Sequence, residues 1–161
     1  MKPEKAIFAC GCFWGVQHLM NKAEGVTRTT VGYIGGHKDH PTYQEVKAHT
    51  TGHAEAVLVE YDADKITYTD LCKLFFEIHD PAQTDGQGPD IGPQYRSEIF
   101  YLNDDQLKEA QNVISILRDK GYTVNTALTP ATTFWEGEEY HQHYYEKTGG
   151  EPYCHIRIKK F

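Results

Sequence analysis

The chain is 161 residues long, 39% hydrophobic, 24% charged and 12% aromatic, the composition of a globular domain rather than of a disordered or fibrous chain. Sixteen basic against 23 acidic side chains give a formal charge of −7, the wrong sign for a phosphate-backbone binder, so no nucleic-acid partner is expected. No apolar run approaches the roughly 20 residues of a membrane span, and the first residues lack the basic segment and greasy core of a secretory leader, so the expectation is a cytoplasmic protein with no membrane contact.

Lys5 to Cys10 is a short apolar run and predicts a buried strand. Gly11 breaks it. From Cys12 onward Val16, Leu19, Met20 and Ala23 fall at i, i+3, i+4 and i+7, one face of a helix that Gly25 stops. Val26 to Ile34, β-branched and aromatic, predicts a second strand. A polar loop follows from His37 to Gly52, then a third strand from Ala54 to Tyr61. Leu71, Leu74, Phe75 and Ile78 repeat the helical set, with Thr67 or Thr69 as N-cap. Asp80 to Gln94 holds three prolines and three glycines and predicts a long loop of the functional kind. Glu98 to Leu102 is a fourth strand, followed by a helix with Leu107, Ala110, Ile114 and Leu117 on one face and Asp104 at its N-cap. After Gly121 periodicity is lost, and residues 121–161 read as a coiled tail. The order βαββαβα predicts an α+β fold. Its form is a ferredoxin-like split βαβ plait, an antiparallel or mixed sheet with helices on one side, in a single domain over 1–161.

Four cysteines without a leader are not a disulfide scaffold; they suit free thiols, ligands or catalysts. Cys12 stands at a strand-to-helix junction, where unpaired N–H groups and the helix dipole favour a thiolate. An ordinary cysteine titrates near about 8.5, and such a setting lowers that value. Phe13 and Trp14 cannot both lie on the seam of Val16 and Leu19, so at least one lines a pocket beside the sulfur. Taken alone, the segment suits a buried packing cysteine with two core aromatics equally well.

Gly11-Cys12-Phe13-Trp14-Gly15 resembles the signature of the A-type peptide methionine sulfoxide reductases. The similarity continues in order through Val31-Gly32-Tyr33, Pro41-Thr42-Tyr43, Thr51 to Val57, His79-Asp80-Pro81, Gly88-Pro89-Asp90, Gln94-Tyr95-Arg96-Ser97 and Tyr140-His141-Gln142. Nearly the whole chain is covered.

The resemblance implies a peptide-methionine (S)-S-oxide reductase, acting on oxidised methionine in proteins and as the free amino acid. It implies Cys12 as nucleophile and Glu55 as the general acid that protonates the departing oxygen. By residue type alone, Glu55 is more readily a solvent-facing strand carboxylate. Tyr43 and Tyr95 match tyrosines that hydrogen-bond the sulfoxide oxygen, Asp90 an acid that organises water, and Phe13 and Trp14 a cup for the substrate methyl group. His53 is a candidate support for Glu55. Cys154 resembles the resolving cysteine, so the implied cycle runs through a Cys12 sulfenic acid and a Cys12–Cys154 disulfide to reduction by thioredoxin. No cofactor and no metal are implied, and a monomer is expected.

Three departures from the family pattern stand out: Cys10 where glycine is usual, Gly86 where arginine is common, and Lys47-Ala48-His49 where Cys-Ser-Gly is usual. Cys10 and Cys72 are read as packed thiols, although Cys10 is also placed to compete as resolving thiol. Two other functions compete with the reductase. Cys10-x-Cys12, His37/His40 and His141/His143 could hold a metal, but the pairs lie in separate segments. A thiol peroxidase or disulfide oxidoreductase would also use a reactive cysteine, but C-x-x-C is absent.

Overall fold

A computed structural model describes residues 1–150, 152 and 155–161. The alternation of apolar side chains in Pro3–Cys10 (β1), Val26–Ile34 (β2), Ala54–Asp62 (β3) and Ser97–Tyr101 (β6) builds the centre of one six-stranded sheet. β1 lies between β3 and β6 and is antiparallel to both, and β3 pairs antiparallel with β2. Because successive strand residues face opposite ways, each strand feeds two cores. Ala6, Phe8, Val57, Val59 and Tyr61 face the side that carries Phe13–Asn21 (α1), Tyr68–Glu77 (α3) and Asp104–Asp119 (α4), whose Val16, Met20, Leu71, Phe75, Ala110 and Leu117 join the same cluster. Ile7, Ala9, Ala54, Ala56 and Phe100 face away and are covered by Ala131 and Phe134.

The helix starts follow local chemistry. Thr67 caps α3 in a reciprocal box with Asp70. For α4 the N-cap is Asn103, whose side chain accepts from the Gln106 N–H, while Asp104, expected at the cap, sits in the first turn with Asp105. Both polar loops contain structure too local for an apolar period to reveal. Tyr43–Lys47 (α2) is one helical turn capped by Thr42, and Gly86–Gln87 (β4) pairs with Asp90–Ile91 (β5) in a small hairpin.

The expected coiled tail is corrected by the structure. Ala127–Pro130 (β7) adds to β6 in parallel, making the sheet mixed, and Trp135–Glu136 (β8) adds antiparallel to β2 at the other edge. Tyr144–Thr148 (α5) then packs near α1. Two-residue and Pro-ended strands bury too little for a pattern to show, yet they form both outer edges of the sheet, where short or Pro-ended strands discourage further pairing. Among the described residues no helix is long and apolar enough to cross a membrane.

Candidate active site

β1 ends at Cys10, the chain turns at Gly11, and Cys12 is left as the residue before the first turn of α1, 7% exposed. Its carbonyl accepts from the Val16 N–H at 3.4 Å, while the next N–H, that of Phe13, donates to Glu55 Oε1 at 3.2 Å. α2, α3, α4 and α5 each carry an acidic residue in the first turn; α1 carries none. α1 thus has no acidic side chain in its own first turn, and the Glu55 carboxyl from β3 takes its first N–H beside Cys12.

Glu55 is delivered from β3. It shares strand parity with Val57, Val59 and Tyr61, so it points to the helix-bearing face and is 2% exposed, not solvent-facing. Burial raises its pKa well above the carboxylate range, and negative charge on Cys12 and, more weakly, on Asp90 adds to this, against the opposing Phe13 N–H. The neutral acid is the favoured form.

Two tyrosines complete the polar wall. Tyr43 opens α2, and its N–H donates to Glu138 Oε2 at 3.0 Å, while Glu138 Oε1 accepts from the Tyr33 hydroxyl at 2.9 Å. Burial alone would raise Glu138, but the Tyr43 N–H, its own N–H and the Tyr33 hydroxyl outweigh it and hold the carboxylate low. The Tyr43 phenol is pushed up to about 12, first by burial and then by Glu55 and Cys12. Tyr95, at the end of the 3₁₀ turn Pro93–Tyr95, is also raised, first by burial and then by Glu55, Tyr43, Asp90 and Cys12. Asp90, half-buried in β5, contributes charge to Glu55, Tyr43 and Tyr95. Cys12, Glu55, Tyr43, Tyr95 and Asp90 thus act on one another electrostatically and form one site.

The two aromatics after Cys12 diverge. Phe13 is 1% exposed and turns inward, with ring centroids 5.7 Å from Tyr33 and 5.2 Å from His141. Trp14 stays half-buried, stacks on Tyr144 at 3.8 Å with a 7° interplanar angle, and donates from Nε1 to His141 Nδ1 at 2.9 Å. An accepting Nδ1 fixes His141 as the Nε2–H tautomer when neutral, and burial lowers its pKa against the pull of Glu138.

His53 serves elsewhere. Its Nδ1 accepts from the Gly36 N–H at 3.0 Å and its Nε2 donates to the Lys38 carbonyl at 2.7 Å, so both ring nitrogens pin the loop after β2. Cys10 and Cys72 are fully buried in the helix-side core, and burial raises both thiols far above the ordinary range, in accord with packing roles. Cys154 lies outside the described residues. Residue-by-residue reasoning missed Tyr33, Glu138, His141 and Tyr144. Tyr33 and His141 stood inside the motifs Val31-Gly32-Tyr33 and Tyr140-His141-Gln142, but nothing local marked Glu138 or Tyr144.

Comparison with known proteins places this geometry. The family described as "Peptide methionine sulfoxide reductase" matches residues 4–161. The chain is 50% identical over 147 residues to peptide methionine sulfoxide reductase MsrA of Methanothermobacter thermautotrophicus, covering 89% of this chain and 87% of the relative. It is 49% identical over 150 residues to the MsrA of Geobacter sulfurreducens, covering 91% and 93%. Among solved structures, Mxr1 from Saccharomyces cerevisiae in reduced form superposes with a TM-score of 0.91 at 36% identity, covering 97% of this chain and 92% of that one. Mxr1 in complex with Trx2 gives 0.65 at 26% identity, covering 97% and 90%.

Proposed function

This chain belongs to the peptide methionine sulfoxide reductase family, and on that premise we propose that Cys12 is the nucleophile that takes oxygen from methionine sulfoxide. The protein is an oxidoreductase of methionine sulfoxide. The Cys12 thiolate attacks the substrate sulfur. The oxygen is protonated by the Glu55 carboxylic acid and held by the Tyr43 and Tyr95 hydroxyls. As the S–O bond breaks, the hydroxyl so formed is transferred to the Cys12 sulfur, and the bond between Cys12 and the substrate sulfur breaks with its electron pair going to methionine. This leaves Cys12 as a sulfenic acid, Glu55 as a carboxylate and the methionine sulfur reduced by two electrons. Asp90 holds the polar network beside the acid. Phe13 and Trp14 receive the substrate methyl group, Trp14 from its half-exposed ring and Phe13 as the wall behind it. In the second step the Cys154 thiol attacks Cys12. The S–OH bond breaks, an S–S bond forms, and the thiol proton leaves with the hydroxide as water.

The single observation behind this reading is the Phe13 N–H to Glu55 bond, which holds a buried, neutral-favouring carboxyl at the same helix end as Cys12. A peroxidase has no use for that acid beside an aromatic cup, and no observation favours it. The S-epimer of methionine sulfoxide, free or in proteins, is the proposed substrate. A thioredoxin is the proposed reductant, supported by the Trx2 complex of the yeast neighbour. The protein is proposed to be a cytoplasmic monomer. Its fold is proposed to be one domain, a ferredoxin-like plait of β6-β1-β3-β2 with α1 and α3, extended by β7 and β8. The test is one equivalent of methionine (S)-sulfoxide without external thiol, followed by mass-spectrometric mapping of linked sulfurs. One methionine per chain and a Cys12–Cys154 link are expected. A product lacking Cys12 in its link would overturn the assignment.

A further inference from the structure

Tyr95 stands on a 3₁₀ turn of three residues, too short to aim a side chain by itself, so its direction has to come from what holds the ends of the turn. Arg96, which closes the turn, supplies that hold. Its guanidinium donates in three directions: Nη1 to the Pro93 carbonyl at 2.9 Å, Nη2 to the Gly52 carbonyl at 3.1 Å, and Nε to Glu98 Oε1 at 2.7 Å. Pro93 is the first residue of the turn, and Gly52 lies just ahead of β3, the strand that carries Glu55. Glu98, buried in β6, accepts with its other oxygen from the Thr129 hydroxyl on β7. The guanidinium thus joins the Tyr95 turn, the approach to the Glu55 strand and a fixed point on the sheet. A planar fork of five N–H donors can serve acceptors so spread, whereas a lysine ammonium is a point charge.

This junction lies behind the site. Phe100 shares strand parity with Glu98 and packs in the core on the face away from the helices. A β-carbon on Gly35 would come within 2.8 Å of the Phe100 ring and 3.0 Å of Arg96 Nη2, so the guanidinium reaches that same face through the room that Gly35 leaves. Glu55 points to the opposite, helix-bearing face. Arg96 therefore acts on the site through the backbone it holds.

We propose that Arg96 is a positioning residue for sulfoxide reduction: by tying the Pro93 and Gly52 carbonyls together, it holds the Tyr95 hydroxyl in register with the Glu55 carboxyl. The inference rests on the oxygen-binding role of Tyr95 proposed above. The two groups already act on each other, since after burial Glu55 is the largest influence raising the Tyr95 phenol. A hydroxyl and a carboxyl that must meet one oxygen tolerate little error, and a misplacement of about 1 Å costs on the order of 100-fold in rate. Arg96 itself gives up no proton; it sets where two other groups meet the oxygen.

The test is a double-mutant cycle read in single turnovers. Wild type, Tyr95→Phe, Arg96→Ala and the double variant are each held in saturating excess over methionine (S)-sulfoxide, and methionine formation is followed by rapid quench. Arg96→Ala is expected to react at least about tenfold more slowly than the wild type. In the Tyr95→Phe background the same replacement is expected to cost less than about twofold, because the hydroxyl that Arg96 aims is already gone. A residue that only holds the fold together would cost as much in both backgrounds, and equal losses overturn the proposal. Arg96→Lys keeps a positive charge beside Glu98 without the fork, and is expected to remain at least about fivefold slow. Wild-type speed in Arg96→Lys would show that charge alone suffices and would also overturn it. Should Arg96→Ala fail to fold, Arg96→Lys with and without Tyr95→Phe completes the same cycle. A Tyr95→Phe protein as fast as the wild type overturns the oxygen-binding assignment of Tyr95 instead.

Discussion

Glu55 Oε1 accepts the Phe13 N–H at 3.2 Å, so the carboxyl on β3 is fixed to the first residue of the helix that Cys12 opens. The acid and the sulfur therefore share one end of one helix. Burial, then the Cys12 charge, lifts the Glu55 pKa well above the ordinary carboxylate range. A general acid must be protonated to act, so the rate of methionine formation is expected to fall as pH rises through that raised value. Glu55→Gln is expected to slow methionine formation at least about tenfold and to abolish this alkaline limb in single-turnover assays.

The same shift has a consequence for stability. A carboxyl whose folded pKa lies above its unfolded value of about 4.3 binds its proton more tightly in the native state. Its contribution is fully present below the unfolded pKa and is lost as pH rises through the folded one. Calorimetry is expected to show Glu55→Gln melting above the wild type at pH 7, with the difference narrowing as pH falls toward about 4. A wild-type melting temperature that exceeded the variant's at pH 7 would mean that the ionised form is the one the fold prefers.

Tyr43 is clamped from behind, its N–H and the Tyr33 hydroxyl both donating to the Glu138 carboxylate. With its phenol pushed up to about 12, Tyr43 remains a hydrogen-bond donor across the working pH range. Tyr43→Phe and Tyr95→Phe are each expected to lower kcat/KM by roughly 10- to 100-fold. Glu138→Gln places an amide N–H against one of two donors, and is expected to reduce kcat/KM several-fold without touching the sulfur chemistry. Steady-state kinetics with free methionine sulfoxide distinguishes the two effects.

What was legible in the sequence follows the strength of local signals. β2 runs from Val26 to Ile34 as its β-branched pattern predicts, and α3 begins at the Thr67 cap. The side taken by Glu55 was not legible from its strand. Glu55, Val57, Val59 and Tyr61 form one apolar face, but Ala54, Ala56 and Leu58 form another, so parity alone could not decide. β8 has only two residues, Trp135 and Glu136, too few to show any period. Trp14 meets His141 across 127 positions and Tyr43 meets Glu138 across 95, and no spacing rule reaches that far. In the sequence His141 stood out only by its proximity to His143 and by its place in a matched motif.

His79 is expected to govern acid sensitivity. Its Nδ1–H donates to the Phe75 carbonyl at 2.6 Å and its Nε2 accepts from the Ser97 hydroxyl at 2.7 Å, while Ser97 is 2.7 Å from the Thr126 hydroxyl. Burial lowers its pKa from 6.5 to about 3. The unfolded chain takes up the proton first, so the stability held above pH 6.5 is lost as pH falls toward about 3. Urea midpoints are expected to decline over that window. A His79→Gln variant is expected to be less stable at pH 7 and to show a flatter decline.

Cysteine variants test which sulfur closes the cycle. Cys12→Ser is expected to abolish methionine formation, because no other described thiol is both near Glu55 and placed at a helix start. Cys10 and Cys72 are fully buried, and desolvation keeps them as thiols, a poor state for attack on a sulfenic acid. Cys154→Ser is therefore expected to yield about one methionine per chain and then stall when thioredoxin is the sole reductant, while a small dithiol that reduces the sulfenic acid directly keeps it turning over. Sustained thioredoxin-driven turnover in Cys154→Ser would mean that the core opens enough for Cys10, two residues from the nucleophile, to take the resolving role. Adding Cys10→Ser to that variant would then stop turnover.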